Sequence, residues 1–243
     1  MPTSTAIHTV IPKPMPTAIM SITTTDSALL RLLQLSSASL PVGGYAFSQG
    51  LEYAIDAGWV RNADDTRQWL TLQLQESLTQ VDCPLLLRCH RALEERSSER
   101  LHYWNHYALA CRETSELRLT DTATGSALIR LLKQLQVDSK LHCDEVSFTA
   151  AFAVAAHHWG LSADAALLGL VWSWLENQVA AATKLVPLGQ TQAQQLIGEI
   201  QQRVPSAIER AKRIEDCEIG AGLPALAIAS ARHEHQYTRL FRS

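Results

Sequence analysis

Hydrophobic positions recur along this chain at spacings of three and four residues and do not alternate, a pattern that predicts helices and no strands. Leu29, Leu30, Leu32, Leu33 and Leu35 make the first broad apolar face, with Asp26 as its candidate N-cap. The pattern stops at Leu40-Pro41-Val42-Gly43-Gly44, where a proline ends the helix and two glycines can take positive φ. A short helix capped by Ser48 then carries Leu51, Tyr53, Ala54 and Ile55, and Gly58 is placed to end it. Beyond Asn62 a longer helix runs to about Gln80, and Asp82 with Pro84 reads as the cap and first turn of the next. Further helices are expected over 98–112, 115–135, 144–159, 162–184, 191–202 and roughly 205–213. The helix over 162–184 is apolar around its whole circumference, so it belongs at the centre of the core or at a subunit interface. The expected fold is all-α: a single-domain helical bundle of about eight to ten helices over 26–243, preceded by a disordered leader over 1–25.

Composition narrows the function classes. A hydrophobic fraction of 47% with 19% charged residues is slightly apolar for a monomer and favours protein partners. The net charge of −3 supplies no basic field for nucleic acid. No uninterrupted apolar run of about 18 residues could span a membrane. The leader lacks the basic flank and apolar block of a signal peptide. The cysteines number 5, with no C-x-x-C pair, which fits reduced thiols in a cytoplasmic protein.

Candidate chemistry is sparse. His102 and His106 have metal-ligand spacing on one helix, but Tyr103 stands where an H-E-x-x-H motif needs Glu. His142-Cys143-Asp144-Glu145 offers four ligand types whose side chains diverge on a helix, and His157-His158 suit a helix C-terminus. His233 and His235 form an H-x-H pair that could clip a transition metal if the segment were extended. Lys184 closes a long apolar helix and reads first as a cation at its C-terminal pole. Nucleophile elbows and phosphate loops are absent, so the chain reads as an interaction protein with no enzyme activity and no cofactor.

The last twelve residues run from Arg232 to Ser243 and set Tyr237, Leu240 and Phe241 among Arg232, Arg239 and Arg242. Aromatic and Arg side chains dominate the energetic centres of interfaces. Such a segment either packs back on its own domain or is held by another surface.

Four stretches, in order, resemble the UreF family of urease accessory proteins. They are Leu40-Pro41-Val42-Gly43-Gly44-Tyr45 with Ser48-Gln49-Gly50-Leu51-Glu52; Arg112-Glu113-Thr114-Ser115-Glu116-Leu117-Arg118; Trp172 to Gln178 continuing through Lys184 to Thr191; and His233 to Ser243. Ala46 departs from the family, whose members often carry a hydroxyl residue there. The resemblance implies a non-catalytic homodimer that binds UreD (also called UreH), recruits the GTPase UreG and docks on apo-urease for nickel insertion. Carried onto this chain, it suggests that Arg232, Tyr237, Arg239, Leu240, Phe241 and Arg242 meet UreD/UreH. Pro41, Gly43, Gly44 and Tyr45, with Lys184, Pro187 and Gln190, would meet UreG. The alternative is a metallochaperone that holds nickel through His233 and His235.

Overall fold

A computed structural model of the chain describes residues 25–220 and 222–243. The leader expected over 1–25 therefore lies, apart from Thr25, outside the described residues. These residues form an all-α bundle in which no strand occurs. Its helices are α1 (Asp26–Ser36), α2 (Leu51–Asp56), α3 (Ala63–Leu72), α4 (Cys83–Glu94), α5 (Ser98–Ala110), α6 (Ser115–Gln134), α7 (Phe148–His158), α8 (Ala163–Leu185), α9 (Gln190–Gln201), α10 (Val204–Ala211) and α11 (Pro224–His233).

Caps explain most of the boundaries. Asn62, Ser97, Thr114, Ser147 and Ser162 each accept a backbone N–H from the first turn of the helix that follows. Thr25, rather than the expected Asp26, caps α1, and Asp26 lies in the first turn. The helix expected from 144 starts at Phe148, because Ser147 is the cap and Asp144 lies in the preceding loop. Asp82 is not a cap. Its φ and ψ of −67° and −44° are helical, and α3 passes into α4 through a π-helical segment, Gln73–Asp82. There the chain widens by one residue per turn, and the Thr79 hydroxyl donates to the Leu74 carbonyl at 2.6 Å. Helix α11 was not anticipated: its small side chains, four of them alanines beside Leu226 and Ile228, carry a weak apolar stripe.

Helix α8 is the hub, packing against α1, α2, α3, α4, α7, α9 and α10. Helix α7 is buried from Thr149 to Ala156, and its alanines let α4 and α6 approach closely. Leu35, Leu70, Leu86, Leu128, Phe152 and Leu167 are fully buried in one continuous core, each worth ~1.5–3 kcal/mol of apolar transfer. Glycine makes two close approaches possible. Gly169 of α8 lies under Leu32 and Ser36 of α1, and Gly125 of α6 lies against the backbone of residues 146–148.

Candidate partner-binding site where four sequence stretches meet

The glycine turn is built from two different requirements. Gly43 sits in the left-handed region at φ 77°, where a side chain is strained. Gly44 opens a 3-10 turn over Gly44–Ala46, and a Cβ there would lie 3.1 Å from the Asn177 side chain of α8. Gln49 and Gly50, at φ 51° and 80°, then swing the chain into α2. Gly50 also lets α11 approach, since a Cβ on it would meet Ala229 at 3.2 Å. Pro41 and Tyr45 face solvent beside this turn.

Helix α11 brings the C-terminal segment back over α2 and α6. His233, the last residue of α11, is fully buried, with Nε2 2.9 Å from Glu52 Oε2 and Nδ1 2.9 Å from Glu116 Oε2. The same two carboxylates hold the rest of the segment. Glu52 accepts the Leu240 N–H at 2.6 Å and the Phe241 N–H at 2.9 Å, and Glu116 accepts from the Arg239 guanidinium at 3.1 Å. Arg242 N–H donates to the Ala46 carbonyl at 2.8 Å, and the Ser243 carbonyl accepts from Ser48 N–H at 2.5 Å. The Ser243 hydroxyl pairs with that of Thr120. Phe241 is buried under Lys184, whose Nζ lies 5.5 Å from the ring centre, and Arg242 lies over Phe47 at 5.9 Å.

The segment thus packs on its own domain and still presents a surface. Its inward set is His233, Phe241 and Ser243. Tyr237 is wholly exposed, Leu240 is 65% exposed, and Arg232, Arg239 and Arg242 reach solvent. Tyr45, 64% exposed, belongs to the turn that Arg242 bonds. Lys184, Pro187 and Gln190 are exposed along the α8–α9 connection, which the Lys184–Phe241 contact ties to the segment.

Sequence reasoning missed Glu52 and Glu116. Both stand in the first turn of a helix, where an acidic residue is ordinarily explained by the helix dipole. Their burial, at 6% and 5% exposed, shows a different role. The only signal was their place inside two of the resembling stretches.

A cavity of about 130 Å³ with a mixed polar and apolar wall lies beneath this surface. On its wall Arg112 bridges Asp82 at 2.6 Å and Asp121 at 2.9 Å, and Asp82 also accepts from Thr149. Burial pushes the Asp121 carboxyl up, against the pull of Arg112. Burial opposes the charge of Arg112, yet Asp121 and Asp82 more than offset it and raise its proton affinity. Gln73 Nε2, Gln178 Oε1 and Trp174 Nε1 also line the cavity and find no protein partner.

The other histidine candidates stay apart. His102 Nδ1 contacts the Ser98 carbonyl and Nε2 accepts the His142 N–H, while His106 is exposed. His157 stacks edge-on with His90. His235 is exposed two residues beyond the buried His233. No three His, Cys, Asp or Glu side chains among the described residues are grouped to hold a metal. No described helix is long and apolar enough to cross a membrane.

Comparison with known proteins agrees with the four stretches. The UreF family model matches residues 60–201. The chain is 60% identical over 230 residues to the urease accessory protein UreF of Marinomonas sp. (strain MWYL1), covering 94% of this chain and 100% of that one. It is 48% identical over 221 residues to UreF of Teredinibacter turnerae, covering 90% and 100% of the two chains. It is 47% identical over 222 residues to UreF of Pseudomonas entomophila, covering 90% and 99%. An all-α bundle, four motif stretches meeting at one surface and this extent of identity lead to one assignment: the chain belongs to the UreF family of urease accessory proteins.

Proposed function

We propose that this chain is a non-catalytic scaffold of urease maturation, joining UreD/UreH to the GTPase UreG while nickel is delivered to apo-urease in the cytoplasm. The carrying observation is the convergence of the C-terminal segment, the glycine turn and the α8–α9 connection on one face with exposed Tyr45, Tyr237 and Leu240. Aromatic side chains ringed by Arg suit a protein interface. In this reading Arg232, Tyr237, Arg239, Leu240 and Arg242 form the UreD/UreH surface, with Phe241 positioning them from below. Pro41, Tyr45, Lys184, Pro187 and Gln190 face UreG, and Gly43 and Gly44 shape that turn.

The scaffold acts as a homodimer. Support comes from α1, where Leu29, Leu30 and Leu33 leave an apolar face in solvent beside the hub helix. Co-purification of the full chain with UreD/UreH, and then with UreG and GTP, tests the bridging role. Failure to retain either partner at micromolar concentration would overturn it. Nickel calorimetry on the isolated chain tests the metallochaperone alternative, and weak binding is expected because both ring nitrogens of His233 already face carboxylates.

A further inference from the structure

We infer that docking of the C-terminal segment is a proton-coupled latch centred on His233, Glu52 and Glu116. Each ring nitrogen of His233 lies 2.9 Å from a carboxylate oxygen, and a contact of that length between nitrogen and oxygen needs one hydrogen between them. A neutral imidazole supplies one hydrogen, and two ionised carboxylates supply none. The docked cluster therefore binds one proton more than a neutral ring with two carboxylates. This holds whether the proton rests on the ring or on a carboxyl.

Burial makes the count consequential. The ring is fully buried and the two glutamates nearly so, which leaves no room for water to separate a nitrogen lone pair from a carboxylate. Charge agrees with the count. The charged groups packed around the ring are Glu52 from α2, Glu116 from α6 and Arg239 from the segment itself, with Lys184 of α8 reaching the segment only at Phe241. With the extra proton the two carboxylates meet two positive charges. Without it the cluster holds an uncompensated buried negative charge. Loss of the proton weakens the bonds to Glu52 and Glu116 that hold Leu240, Phe241 and Arg239, so the segment lifts as the solution becomes alkaline. Lifting also withdraws the Arg242 bond from the glycine turn and Phe241 from Lys184. The functional consequence rests on the reading that this face meets partners. The latch itself does not, and its test uses no partner.

Amide hydrogen exchange on the full chain reads the latch directly, because the Leu240 and Phe241 amides donate to Glu52. Protection, corrected for the intrinsic exchange rate at each pH, is expected to fall from neutral to alkaline pH, by up to about tenfold per pH unit where the single proton leaves. Glu116→Gln supplies the missing hydrogen from its amide to Nδ1 while its carbonyl still accepts from Arg239. It should keep the segment docked with no pH slope. His233→Gln offers one donor group and one acceptor where two donors are needed, and should give weak, pH-independent protection. Wild-type protection that is flat across this range overturns the latch, as does a Glu116→Gln protein with the wild-type slope. The glutamate variant keeps the question decidable if His233→Gln does not fold.

Discussion

Gly125 has no room for a methyl group. A Cβ there would lie 2.2 Å from the Val146 carbonyl oxygen and 2.7 Å from the Ser147 carbonyl carbon, both backbone atoms that cannot swing aside. Alanine favours a helix interior over glycine by about 1 kcal/mol. The clash outweighs that gain, so Gly125→Ala should lower stability by a net ~1–3 kcal/mol. A urea midpoint that falls at unchanged slope is the expected record. His157 gives a second residue-level prediction. Burial, and then the neighbouring His90, pull its proton affinity below the ordinary value of 6.5. A base depressed in the folded state stabilises the fold above its unfolded value and loses that contribution as pH falls through 6.5 and below. The melting temperature should therefore drop on the acid side, and His157→Gln should flatten that slope. An unchanged acid slope in the variant would remove His157 from the explanation.

At the scale of elements, the Arg112 cluster ties three pieces together. Asp82 ends the π-helical segment, Asp121 belongs to α6 and also accepts the Phe148 N–H that opens α7, and Arg112 lies between α5 and α6. Removing the guanidinium strands the buried Asp121 and the largely covered Asp82 carboxylates. Arg112→Met should therefore cost about 3–5 kcal/mol, measured by denaturant unfolding. Adding Asp82→Asn and Asp121→Asn to that variant should recover part of the loss, because neutral amides are cheaper to bury. If Arg112→Met unfolds at the wild-type denaturant concentration, the cluster does not tie these elements together. The π-helical segment and α11 were the elements least legible beforehand. In the first, apolar spacing of three and four continues through the wider turns, so the sequence shows no break. In the second, the small side chains carry too little hydrophobic contrast to mark a face.

At the scale of the whole molecule, the exposed and buried halves of the C-terminal segment should separate by mutation. Tyr237 is fully exposed, so Tyr237→Ala should leave the melting temperature within error while weakening the UreD/UreH complex by ~2 kcal/mol, read by titration of purified partners. Phe241→Ala should cost stability as well, ~3 kcal/mol for an emptied aromatic site. Equal effects of the two substitutions on stability would contradict the division between inward and outward residues. For the dimer, Leu30→Glu or Leu33→Glu places charge on the open face of α1 and should reduce the light-scattering mass to that of one subunit. If the mass is unchanged, the open face of α1 is not a subunit interface.

The sequence by itself determined the fold class, most helix positions and the family, because amphipathic spacing, caps and short motifs are local properties written in consecutive residues. The sequence left α8 either at the core or at a subunit interface, and only packing placed it at the hub. It also pointed to the C-terminal segment, the glycine turn and Lys184 as residues of interest. Only the tertiary structure decided how they are joined. Whether Glu52, Glu116 and His233 are solvated charges or one buried cluster depends on the packing of α2, α6 and α11, the last of which places His233 more than 100 residues from either glutamate in sequence. The same holds for Asp82, which reads as a cap in the linear order and becomes a partner of Arg112 when α5 and α6 pack beside it. Burial decides the role of each of these side chains, and burial is set by the packing of distant helices rather than by neighbours along the chain.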